Sequence, residues 1–203
     1  SSAASDVYKR QYVDEEGRFG ALGHGISDVD TGELLSIADG NLYDAQILGI
    51  RKGEKGNPGE LSGLIRYEAG NILGEISENR KNGIFGTMEA SQLKNMNLEK
   101  VPIGYKQDLK TGPASVFCCT DGEVKEYAAE ITRIDLNHED SNKSFVIQIT
   151  DKELLEKTGG IVQGMSGSPV LQNGKLFGAV THVFVQDSTS GYGIFIENMM
   201  DVA

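Results

Sequence analysis

The chain has 203 residues, 38% of them hydrophobic and 24% charged, with a formal net charge of −11. That length suits one domain of moderate size or two small halves sharing a core, and the acidity opposes binding to nucleic-acid backbones and to anionic membrane surfaces. Lysines and arginines are scattered without a basic stripe, and no apolar run approaches the roughly 20 residues of a membrane span, so neither nucleic acid nor membrane contact is expected of this chain.

Residues 1–11, SSAASDVYKRQ, show no strand or helix pattern and lack the charged start and apolar stretch of a signal peptide. They are expected to be a disordered or foreign lead to a domain spanning 12–203. From there the chain reads mostly as short strands, at 17–22, 34–38, 42–50, 72–76 and 83–88, then at 114–119, 123–131, 144–150, 170–172, 175–185 and 192–196. Turn signals such as Asp30-Thr31-Gly32, Asp39-Gly40 and Asp121-Gly122 punctuate them, and the 26 glycines fit many tight turns. Short strands at this spacing predict an all-β barrel or sandwich. Asn173-Gly174 between two apolar runs predicts a hairpin, because a type I′ turn needs positive φ at both central residues. One helix is expected in ITDKELLEKTGG, where Thr150 and Glu153 have capping-box spacing and Gly159 sits as a C′ glycine. A second short helix begins near Asn198, and the polar stretch 89–100 marks a soft boundary between two β-rich halves. The two cysteines, Cys118 and Cys119, are adjacent. A bond between them would be strained, and both are expected to be buried thiols.

The chemistry concentrates in GGIVQGMSGSPVLQNGKLFGAVTHV, residues 159–183. Glycines surround Ser166, so backbone amides there are free to face a developing oxyanion. A serine hydroxyl needs a base to become a nucleophile. Only three histidines exist: His24 at the end of an apolar run between Gly23 and Gly25, His138 in a charged loop, and His182 on the strand after the hairpin. His182 is expected to pack as an ordinary strand residue, with the lining of a specificity cleft as the alternative. Ser168 is the rival serine, but its place before Pro169 suits a strand start. No cofactor is implied: 53–59 lacks phosphate-loop spacing, and His138 has no second histidine or cysteine at ligand spacing.

GMSGSPVLQNGKLFGAVTH resembles the nucleophile region of chymotrypsin-fold serine proteases. A longer set, GALGHGISDVDTGE, KGNPGE, GIFGT and the run from ITDKELLEKTGG to GIFIENM, resembles the peptidase domain of the stage IV sporulation protein B family from about Tyr12 to the C-terminus. The resemblance implies a chymotrypsin-like double β-barrel with one or two short helices, and a serine endopeptidase with Ser166 as nucleophile, His24 as general base and Asp151 as the acidic member. Asp28 and Asp30, just past His24, are the rival acids. By analogy with the fold, the amides of Gly164 and Ser166 form the oxyanion hole, and Thr181 lines the substrate cleft. The partners so implied are a protein substrate, namely a regulator restraining an intramembrane protease that releases a late sigma factor, and the chain itself through self-cleavage. The implied location is extracytoplasmic, between forespore and mother cell. Family members also carry an N-terminal membrane anchor and a PDZ domain, and neither pattern is seen in this sequence. The alternative function is a catalytically silent peptide-binding module on a protease fold. An esterase is disfavoured, because Ser166 leads into a strand and not into a helix.

Overall fold

The computed structural model describes residues 10–37, 39–95, 100–138 and 140–200. Its elements in chain order are β1 (Arg10–Val13), β2 (Arg18–Ala21), β3 (Gly40–Tyr43), β4 (Ala45–Arg51), β5 (Glu60–Ile65), β6 (Ile72–Arg80), β7 (Gly83–Met88), α1 (Ala90–Asn95), β8 (Gly112–Cys119), β9 (Val124–Ile134), β10 (Phe145–Ile149), α2 (Lys152–Thr158), β11 (Pro169–Gln172), β12 (Lys175–Phe184), β13 (Asp187–Phe195) and α3 (Ile196–Met200).

The C-terminal lobe is a closed barrel in the order β10-β13-β12-β11-β8-β9. Its strands pair antiparallel, and alternation fills it: Tyr127, Ala129 and Ile131 of β9 point inward with Phe145 and Ile147 of β10 and Val116 of β8. The expected hairpin is present, with Asn173 and Gly174 at φ 51° and 73° between the paired Gln172 and Lys175.

The N-terminal lobe is a five-stranded sheet, β1-β2-β7-β6-β3, around Phe19, Leu42, Ile76 and Ile84. Of the two barrels expected, this second one is incompletely closed. Strands β4 and β5 leave it as a separate two-stranded ribbon. The ribbon escaped the sequence reading at β5 because Glu60–Ile65 alternates little and is largely exposed. The predicted strand at 42–50 is split at Asp44 into β3 and β4. The stretch at 34–38 contributes only an isolated bridge, Ser27 to Leu34, and Ala38 lies outside the described residues. β1 begins at Arg10, inside the stretch read as a lead, and residues 1–9 lie outside the described residues. The soft boundary at 89–100 holds α1.

A third apolar cluster joins the lobes: Phe85 of β7 packs with Ala179, Ile194 and Met199 from the barrel side. Both cysteines are buried, and burial pushes the Cys118 thiol up to about 12. Since the thiolate is the nucleophile, iodoacetamide at pH 8 is expected to leave Cys118 unmodified in the native protein and to alkylate it once guanidinium unfolds the chain. Rapid native alkylation would show that the barrel opens at β8.

Candidate active site

The loop between α2 and β11 carries Ser166. Gly159 ends α2 at φ 71°, its amide donating to the Leu155 carbonyl. Beyond it, Ile161 N–H donates to Ser188 O, and the side chains of Ile161, Val162 and Met165 sink into the barrel core. The base of the ribbon clamps the next residue: Gln163 N–H donates to Gly59 O and Leu61 N–H donates to Gln163 O, both at 2.8 Å. Gly164 (φ 99°) and Gly167 (φ 90°) then turn the chain around Ser166 in a region that only glycine enters readily. Gly167 N–H donates to Val180 O and Ser168 N–H to Met165 O. Among the described residues, the amides of Gly164 and Ser166 donate to no protein acceptor. They are held by their neighbours and left unused.

The Ser166 hydroxyl donates to the Thr181 carbonyl at 2.9 Å. Ser168, the rival serine, is buried. Thr181 does not line an open cleft with its side chain. That side chain is buried and donates to the Asn142 carbonyl at 2.6 Å. What Thr181 presents to Ser166 is its backbone oxygen.

His24 arrives from the other lobe, just past β2. Leu22 and Gly23 both have positive φ, 68° and 70°. A Cβ on Gly23 would lie 2.7 Å from Ile194 Cγ2 and 3.1 Å from Thr181 Cγ2, so the glycine lets this segment lie directly on the barrel strands that flank Ser166. The His24 ring sits 5.3 Å from the His182 ring, centroid to centroid. Ser166 and His24 thus converge on the same step of β12, Thr181-His182. His24 Nδ1 is 2.9 Å from Gly25 O. A carbonyl there accepts a proton on Nδ1 and leaves Nε2 as the basic nitrogen.

His182 faces this cleft and not the barrel interior, against the expectation of a packed strand residue. Desolvation first, then the neighbouring His24 and Lys143, hold its imidazole below the ordinary value. His24, Gly25, Lys81, Asp140, Asn142 and His182 line a cleft of about 480 Å³.

Among the described residues, no hydrogen bond joins Asp151 to His24. Asp151 is the N-cap of α2: one carboxylate oxygen accepts from Leu154 N–H at 3.1 Å and the other from Ala128 N–H at 3.2 Å. The cap is Asp151, and not Thr150 as the capping-box spacing predicted. Asp28 is also engaged locally, accepting from the amides of Asp30 and Thr31 and from the Thr31 hydroxyl, bonds that hold its carboxyl below the usual range. Sequence reasoning missed Asn142 and Lys81, which reach the cleft only through long-range contacts.

A closed barrel and an open sheet, with a glycine-flanked serine bonded to Thr181 of the barrel and a histidine from the sheet lobe packed against the adjacent His182, define a chymotrypsin-like serine peptidase fold. A sequence model of the SpoIVB peptidase S55 family matches residues 7–200, and the chain belongs to that family. It is a serine peptidase of the chymotrypsin-like class. Among solved structures, the active form of the Rv3671c protease from M. tuberculosis is similar at 13% identity and a TM-score of 0.45, over 77% of this chain and 70% of that one. The HtrA-type protease AlgWS227A with tripeptide is similar at 14% identity and a TM-score of 0.44, over 71% of this chain and 55% of that one. A search of curated proteins gave no match.

Proposed function

We propose that the chain is an endopeptidase acting through a Ser166–His24 pair, and the observation that carries this is the convergence of both residues on the Thr181-His182 step of β12. The hydroxyl of Ser166 turns from the Thr181 carbonyl towards His24 and attacks the scissile carbonyl. His24 Nε2 takes the proton and returns it to the leaving amine, with Nδ1–H held by the Gly25 carbonyl. The amides of Gly164 and Ser166 receive the oxyanion, an acyl-enzyme forms, and water releases it.

In this reading Asp151 acts as a helix cap and the Gly25 carbonyl orients the imidazole. Asp151→Asn, which keeps capping ability, is then expected to retain most activity, whereas Asp151→Ala costs about 1 kcal/mol of stability measured by denaturant unfolding. If Asp151 instead orients His24, the asparagine variant would lose about ten-thousand-fold in kcat, a result that denaturation and kinetics on the two variants separate cleanly.

Family membership supports a finer role: an extracytoplasmic signal between the two compartments of a sporulating cell, with a protein regulator of an intramembrane protease as substrate and the chain itself as a second substrate. The test is incubation of the purified chain, alone and with casein, followed by mass spectrometry. Shortening of the chain and of casein in the wild type, absent from Ser166→Ala, is the expected result. Identical fragments from both proteins would remove Ser166 from the mechanism.

A further inference from the structure

We propose that Asn142 is a positioning residue that holds the base and the nucleophile in register across the lobe boundary. This rests on the Ser166–His24 reading above. Asn142 lies in the loop between β9 and β10, and its backbone carbonyl accepts from the Thr181 hydroxyl at 2.6 Å. The carbonyl of that same Thr181 accepts from Ser166. In the other direction, Asn142 Nδ2 donates to the Lys81 carbonyl at 2.9 Å, in the turn between β6 and β7 of the other lobe. The neighbouring Arg80 carbonyl is the surface on which Gly25 rests, so closely that a Cβ on Gly25 would lie 2.5 Å from that oxygen. Gly25 in turn holds His24 Nδ1. One circuit therefore runs from Ser166 through Thr181, Asn142 and the Arg80-Lys81 turn to Gly25 and His24, hydrogen-bonded at every step but the close packing of Gly25 on the Arg80 carbonyl.

Asn142 is the member of that circuit whose side chain hydrogen-bonds from one lobe to the other. Its Oδ1 is buried with no hydrogen-bond partner among the described residues. An unpaired buried amide oxygen is unfavourable for folding, which offsets part of what the Lys81 bond contributes to stability. The lobes do not need Asn142 to stay together. The Phe85, Ala179, Ile194 and Met199 cluster joins them, and Asn82 Nδ2 donates to Asn198 O at 2.6 Å beside it. Loss of the Asn142 side chain is thus expected to loosen the approach of His24 to Ser166 without separating the lobes.

The experiment measures labelling of Ser166 by a fluorophosphonate over a range of probe concentrations, with casein hydrolysis alongside and thermal melting as a check on folding. Asn142→Ala is expected to lower the maximal labelling rate and kcat by up to about 100-fold, as an error of about 1 Å in alignment does, with the half-saturating concentration and KM little changed. Asn142→Asp keeps the shape and the Oδ1 oxygen but replaces the Nδ2 donor to Lys81 O with a second oxygen, and is expected to match the alanine variant. Thr181→Val should show the same loss in rate, and Thr181→Ser, which keeps the hydroxyl, should restore it. A folded Asn142→Ala or Asn142→Asp with wild-type maximal rates overturns the proposal. So does a Thr181→Ser as impaired as Thr181→Val. Labelling that survives Ser166→Ala would instead overturn the Ser166–His24 reading itself, and this proposal with it.

Discussion

Replacing Ser166 with alanine is expected to abolish peptide hydrolysis, with kcat falling by about a million-fold, the scale seen when a serine nucleophile is removed from a hydrolase. The fold should survive, because among the described residues the Ser166 side chain bonds to the Thr181 carbonyl alone, while the loop is pinned by backbone bonds at Ile161, Gln163, Gly167 and Ser168. His24→Ala should be nearly as damaging, and the double variant no worse than either single one. Residues that act as one unit do not add. Additive losses in the double variant would mean that the two side chains serve separate steps, and the shared Thr181-His182 step would then be coincidental.

The second large effect is expected at Gly164. At φ 99° an alanine is strained, and its Cβ would lie 3.0 Å from Leu61 Cβ, against the ribbon that clamps Gln163. The strain is relieved most readily by rotating the peptide that carries the Gly164 amide. Loss of one oxyanion donor costs about 100- to 1000-fold in kcat with little change in KM. Gly122→Ala is the control. It has a similar φ of 94°, but nothing lies within 4 Å of the point its Cβ would occupy, and it sits in the β8–β9 turn, so it should lower stability and leave kcat unchanged. Equal kcat losses at Gly122 and Gly164 would reduce the glycine effect to general strain.

The tight loop that carries Gly164 and Ser166 was legible in the sequence because its signals are local. Gly-Met-Ser-Gly-Ser-Pro, followed by a strand and Asn173-Gly174, confines the serine to a tight loop ahead of a hairpin, and that hairpin formed with both turn residues at positive φ. The closed barrel was legible for a similar reason, since strands such as β9 alternate over their length. The N-terminal lobe was harder. Strand β5 is mostly exposed, so it carries little hydrophobic alternation, and whether a sheet closes depends on pairings that no single strand reports. The helix cap slipped by one residue because Thr150 and Asp151 are both capping types; the backbone and the Leu154 amide decide between them. Hardest to see was what surrounds His24. Gly25, Arg80, Lys81 and Asn142 meet only after both lobes fold, and the Asn142 to Lys81 bond spans 61 residues. Asp151 illustrates the reverse case: a resemblance supplied a role, and the structure shows its carboxylate occupied by two backbone amides.

The most direct test of the central claim is intact mass after fluorophosphonate treatment of the wild type, Ser166→Ala, Ser168→Ala and His24→Ala. The Ser166–His24 account expects one adduct on the wild type and on Ser168→Ala, none on Ser166→Ala, and a greatly slowed or absent adduct on His24→Ala. An adduct that persists in Ser166→Ala and disappears in Ser168→Ala, or a correctly folded wild type that takes no adduct at all, would contradict it.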